Sequence, residues 1–171
     1  MNFPPHPARH ALCLIPLLFS VASSLPAQEA KEQTMTLRAA DGRYVATTAN
    51  GGLSLTGKAV GDKTVFIVAD ANHAELSEGD EVTIKYAPGV TPEDSRYKPT
   101  FWVEAADKIK RVNKEPKDAS GRFKLREQSG SFVLETSNGK FITAAPDNEL
   151  GVADTLKDGL PFKFEPTLAS N

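Results

Sequence analysis

A single cysteine, Cys13, occurs in the 171 residues, and it lies inside the N-terminal apolar run. No intramolecular disulfide is available, so packing alone must hold the folded chain together. The longest apolar run spans only positions 11 to 22, whereas a membrane-crossing helix needs ~20 residues. The first ten residues carry one positive charge, Arg9, and no acid; the apolar run follows, and small residues stand at Ala22, Ser24 and Ala27. This is the layout of a cleavable signal peptide. It predicts cleavage near Ala27 and a secreted or periplasmic protein with no membrane span. Pro16 and Pro26 argue against a buried helix here, and Cys13 stands too early to be a lipid-modified cysteine.

Histidine is nearly as scarce. Beyond residue 27 only His73 remains, which leaves no imidazole partnered to a nucleophile and no cluster of Cys and His for zinc. No calcium loop and no Gly-rich phosphate loop is present, and no cofactor is expected. Cleavage removes one charge, leaving 19 Lys and Arg against 22 Asp and Glu. That balance offers nucleic acid no electrostatic footprint. Acids such as Asp147, Glu149 and Asp154 fall at turn positions, and nothing singles out one pair for glycoside hydrolysis. A non-enzyme is expected, with a carboxylate-dependent hydrolase as the remaining catalytic class. The basic stretch from Lys108 to Lys117, interrupted by Glu115, reads as solvated hairpin decoration.

What is present is a succession of short β-type runs separated by Gly, Asn, Asp and Pro, with no long helical periodicity. Asp41-Gly42, Asn50-Gly51-Gly52 and Asn138-Gly139 are hairpin signals, because these residues tolerate the positive φ of tight turns. The chain also resembles itself. Leu37 to Ala46 aligns with Leu134 to Thr143, with the aromatic, Tyr44 or Phe141, seven positions after the leading Leu, and Leu53 or Leu150 nine positions later. A Phe-x-apolar ending occurs three times, as Phe66-Ile67-Val68, Phe123-Lys124-Leu125 and Phe162-Lys163-Phe164. From aromatic to Phe the outer copies measure 22 and 21 positions; stepping back 21 from Phe123 reaches Trp102. The middle copy would then open on Val82-Thr83-Ile84 and carry an enlarged hairpin from Lys85 to Thr100.

These strings resemble the fascin-like repeat of the β-trefoil (actin-crosslinking-like) superfamily, closely in the first and third copies. The resemblance implies an all-β β-trefoil with three pseudo-threefold repeats of about four strands each. The expected organisation is a signal peptide over 1–27, a short linker over 28–33 and one domain over 34–171, with repeats near 34–69, 80–126 and 130–167. Its repeat core would comprise Leu37, Tyr44, Leu53, Phe66, Val68, Ile84, Trp102, Ile109, Phe123, Leu125, Leu134, Phe141, Leu150, Phe162 and Phe164. Trp102, aligned with Tyr44 and Phe141, is expected in that core and not as a sugar-stacking platform.

Function is sought in the long middle loop, since loops on rigid scaffolds carry recognition. Tyr86, Glu93, Asp94, Arg96, Tyr97 and Lys98 are the candidate binding residues there, and three prolines limit the ordering cost of binding. The expected role is a monomeric, non-catalytic module binding a glycan or cell-surface polymer, on fold-level analogy, although the Gln-x-Trp signature of ricin-type lectins is absent. A protein partner, including a protease inhibited by the loop, is the alternative.

Overall fold

The computed structural model describes residues 31–70, 75–86 and 99–167. Within them lie twelve strands. They are β1 (Lys31–Ala39), β2 (Tyr44–Thr47), β3 (Leu53–Gly57), β4 (Val65–Asp70), β5 (Glu81–Tyr86) and β6 (Thr100–Ala105). The others are β7 (Lys108–Val112), β8 (Arg122–Gln128), β9 (Ser131–Thr136), β10 (Phe141–Ala144), β11 (Leu150–Ala153) and β12 (Phe162–Pro166). Three short 3-10 turns, at Asp62–Thr64, Ala119–Gly121 and Leu156–Asp158, are the helical elements of the described residues.

Turn chemistry sets these boundaries. Gly42 (φ 88°) and Gly139 (φ 74°) close turns of the same form: each donates its N–H back three residues, to Ala39 and Thr136, at 2.9 Å in both cases. The alternation along β8 shows the period of a half-buried strand. Arg122 and Lys124 are exposed, while Phe123 and Leu125 are fully buried. Outside the barrel, opposite charges meet across strands: Arg122 binds Glu81 at 3.1 Å, and Arg126 binds both Glu135 and Glu78.

All the pairings are antiparallel. Strand β1 pairs with β4, β4 with β5, β5 with β8, β8 with β9 and β9 with β12, and β12 returns to β1. The sheet therefore closes on itself. The extra strands attach as hairpins, β2 with β3, β6 with β7 and β10 with β11.

The expected fascin-like β-trefoil of three equal repeats is corrected to this closed antiparallel barrel with extra strands. The twelve strands are one continuous sheet, and the proposed copies enter it unequally. The corresponding ladders differ in length: β1 pairs with β4 from Lys31 to Thr36, β5 with β8 from Glu81 to Thr83, and β9 with β12 only at Phe132 and Phe162. The aromatic register also slips. Trp102 has no exposed surface, whereas Tyr44 and Phe141 are half-buried residues that open their strands. Phe101, half-buried, occupies the comparable place, and Trp102 is level with the fully buried Val45 and Ile142. A one-residue shift along a strand exchanges its two faces, so extrapolated spacing selected the neighbour of the matching residue.

The core fills the barrel. Leu37, Leu53, Phe66, Val68, Ile84, Trp102, Ile109, Phe123, Leu125, Leu134, Leu150 and Phe162 are each at most 2% exposed. Phe164, like Tyr44 and Phe141, is half-buried. Trp102 stands edge-on to Phe66 at 5.0 Å and to Phe123 at 6.4 Å between ring centroids, the arrangement that aromatic quadrupoles favour. Its indole Nε1 is buried and has no hydrogen-bond partner among the described residues.

Truncating either Phe123 or Phe162 to Ala is expected to cost ~3–5 kcal/mol, measured by urea unfolding. Trp102→Phe is expected to cost no more than ~2 kcal/mol, because lost packing is offset by removing a donor whose unmet desolvation costs ~1–3 kcal/mol. A Trp102→Phe loss as large as that of Phe123→Ala would contradict this accounting.

Candidate functional site

Tyr86 ends β5 and is 9% exposed. Its ring lies 6.1 Å from that of Phe66 and is covered by the Arg111 guanidinium at 5.0 Å. It packs in the barrel wall, with Arg111 over its ring. Glu93, Asp94, Arg96, Tyr97 and Lys98 lie outside the described residues, as do His73, Cys13 and the expected signal peptide.

The larger concavity is built elsewhere, by turn regions far apart in sequence. Residues 48–56 supply one wall, 106–111 the second and 147–150 the third. Backbone bridges hold them together: Gly52 pairs with Lys110, Ser54 with Glu149 and Gly151 with Lys108. The Leu55 N–H donates to the Asn148 carbonyl at 2.8 Å, and the Val152 N–H to that of Asp107 at 3.2 Å. Arg43 adds a side-chain tie, donating to Asn148 Oδ1 at 2.6 Å and to the Leu55 carbonyl at 3.0 Å. The result is an open groove of about 850 Å³, whose floor includes the buried Leu53, Ile109 and Leu150.

Polar groups line the groove above this floor. Lys108 Nζ donates to Glu149 Oε2 at 2.7 Å. That hydrogen bond, reinforced by the opposite charge, raises the Lys108 pKa above its ordinary 10.5. Asp147 Oδ1 accepts the Glu149 backbone N–H at 3.0 Å and shapes its own turn. Arg111 is half-buried and donates from Nε to the Gly51 carbonyl at 3.2 Å and from Nη2 to that of Thr48 at 3.3 Å. Burial pushes its pKa below the usual guanidinium range, yet a guanidinium stays protonated in proteins. Lys110 is exposed and forms no ion pair among the described residues.

Chemically, this arrangement presents hydrogen-bond donors and acceptors to a polar ligand. Both groove acids are already engaged, one by an ammonium and one by a turn amide. No cluster of three or more His, Cys, Asp or Glu residues suited to a metal ion occurs among the described residues. A second concavity, of about 540 Å³, has the half-buried Phe132 and Phe164 in its wall, their centroids 6.2 Å apart and tilted by 71°. Sequence reasoning passed over the larger groove because Asn50-Gly51-Gly52, Lys108 to Arg111 and Asp147 to Glu149 each read alone as an ordinary turn or solvated charge. The available signal was that all three polar stretches adjoin a buried apolar residue, Leu53, Ile109 or Leu150, at a hairpin.

Neither a family model nor a curated protein matches the chain, so the fascin-like membership expected from Leu37 to Ala46 and Leu134 to Thr143 is withdrawn. Solved structures with a similar fold include a GlcNAcα1-4Gal-releasing endo-β-galactosidase from Clostridium perfringens. It superposes with a TM-score of 0.58 at 7% identity, over 80% of this chain and 33% of that one. Cry35Ab1 superposes with a TM-score of 0.55 at 15% identity, over 86% of this chain and 38% of that one. The chain thus spans little more than a third of either protein, and the likeness is one of fold.

The Lys108–Glu149 pair gives a direct check on the groove. Because the folded pKa of Lys108 is raised, its contribution to stability is complete below 10.5 and is lost as pH rises through the folded value. Glu149→Gln is expected to lower the Lys108 pKa towards its ordinary value, read from the pH dependence of its side-chain NMR resonances. An unchanged Lys108 titration in that variant would show that the pair does not form.

Proposed function

We propose that this protein is an exported, non-catalytic binding module that takes carbohydrate, as a free chain or as part of a cell-surface polymer, in the groove between residues 48–56, 106–111 and 147–150. The observation that carries this reading is the groove itself. It is open, its walls are polar over an apolar floor, and its two carboxylates, Asp147 and Glu149, are each tied to a local donor. Sugar hydroxyls both donate and accept, and the groove offers both functions through the exposed Asn50 amide, the lysines and the exposed Thr56 hydroxyl, which shares one hydrogen bond with Ser54. An extended groove can also admit a polymer along its length.

Export rests on the charge, apolar run and small-residue pattern of the first 27 residues. The absence of catalysis rests on the engaged groove acids, since a glycosidase needs one carboxyl free to donate a proton and another free to act as base or nucleophile. A carbohydrate-acting protein among those of similar fold is compatible with this role.

The test is affinity electrophoresis through gels containing neutral and charged polysaccharides, comparing the protein with the double variant Asn50→Ala/Lys108→Ala. Retardation by at least one polysaccharide, reduced at least fivefold in the double variant, is expected. Retardation that the variant retains in full would move the site elsewhere. No retardation by any polysaccharide would remove the proposal.

A further inference from the structure

We infer that the groove recognises an anionic sugar chain, whose carboxylate or sulfate groups are taken by the groove-lining cations Lys110 and Arg111; this rests on the carbohydrate reading above and names its ligand class. The groove carries three cations, Lys108, Lys110 and Arg111, against two acids, Asp147 and Glu149. Glu149 pairs with Lys108, and Asp147 accepts a turn amide while keeping its charge beside Lys108. The groove therefore carries a net charge of +1, and neither Lys110 nor Arg111 has an ion-pair partner among the described residues.

Arg111 is the more telling of the two. Removing a cation from water is costly unless it is paired, yet this half-buried guanidinium has two neutral carbonyls and the Tyr86 ring as its partners. Those contacts use Nε and Nη2, and Nη1 has no hydrogen bond among the described residues. A guanidinium also suits planar, two-point recognition of a carboxylate. Lys110 lines the same groove from the strand face it shares with Lys108, opposite the face of Ile109 and Arg111. With Lys108 held by Glu149, Lys110 is the mobile cation on that face, and Asn50 can bind neighbouring hydroxyls. The formal charge of the chain is −2, so the molecule as a whole repels polyanions. Attraction to one must therefore arise at a local site.

Isothermal titration with matched pairs of oligosaccharides tests the inference: oligogalacturonate against its methyl ester, and a sulfated galactan oligomer against its desulfated form. The acidic member of at least one pair is expected to bind at least tenfold more tightly, and the pair that responds identifies carboxylate or sulfate as the preferred anion. Lys110→Gln is expected to remove most of that preference, and Lys110→Arg to keep it. Arg111→Lys, which keeps the charge but not the fork, is expected to weaken the acidic member selectively. Equal binding of charged and neutral members would overturn the anionic assignment while leaving carbohydrate binding intact. Binding of none of the four would remove both, and a Lys110→Gln variant with undiminished preference would exclude this groove as its source.

Discussion

The pairing of β1 with both β4 and β12 is the constraint on which the rest of the molecule depends. Through it the first described strand joins the last, with Met35 facing Phe66 on one side and Pro166 on the other. A chain with one cysteine cannot lock this closure by an intramolecular disulfide. The ladder and the side chains packed inside it are what keep the sheet shut. Closure removes the edges that an open sheet of alternating polar and apolar strands would expose. It also puts Phe66, Trp102, Phe123 and Phe162 in one enclosed interior.

The groove is a consequence of that closure. Its walls come from three hairpin regions that meet only because the barrel carries their strands around to one another. Cross-hairpin bonds such as those of Leu55 to Asn148 and Val152 to Asp107 then fix their spacing. Positive φ at Ala106 and Asp107 (51° and 61°), at Asn148 (66°) and at Gly51 (79°) turns the backbone where each wall begins. Side chains on such turns are held by backbone geometry and need little reordering when a ligand arrives. Arg111 connects the two levels of the structure. It packs on Tyr86 at the end of a barrel strand while bonding the carbonyls of the 48–52 turn, so the groove wall is anchored to the core.

Much of the fold was legible in the sequence, and the failures have physical causes. Period-2 alternation and the Asp-Gly and Asn-Gly turns gave the all-β class and the position of most strands. Repeated Phe and Leu positions led to the interior, because a side chain must recur at each pass of the sheet through the core. Two steps failed. Spacing alone cannot distinguish Phe101 from Trp102, since adjacent strand residues differ only in which face they occupy, and the outer spacings of 22 and 21 positions reach one and the other. Local similarity between two stretches also says little about how strands pair across the whole sheet, so a family resemblance was read into what is a closed barrel with extra strands. The groove was illegible for a related reason. Lys110, Asn50 and Asp147 acquire their meaning from non-local pairing, and no local pattern encodes their proximity.

The account's central claim is that barrel closure preforms the groove, and native-state amide hydrogen exchange tests it most directly. The Leu55 and Val152 amides, which bridge the hairpins, should exchange as slowly as those of the buried Leu125, which donates to the Asp80 carbonyl, and Leu134, through global unfolding. Exchange of Leu55 and Val152 through local opening, many times faster than Leu125 and Leu134 and insensitive to core mutations such as Phe123→Ala, would contradict the claim.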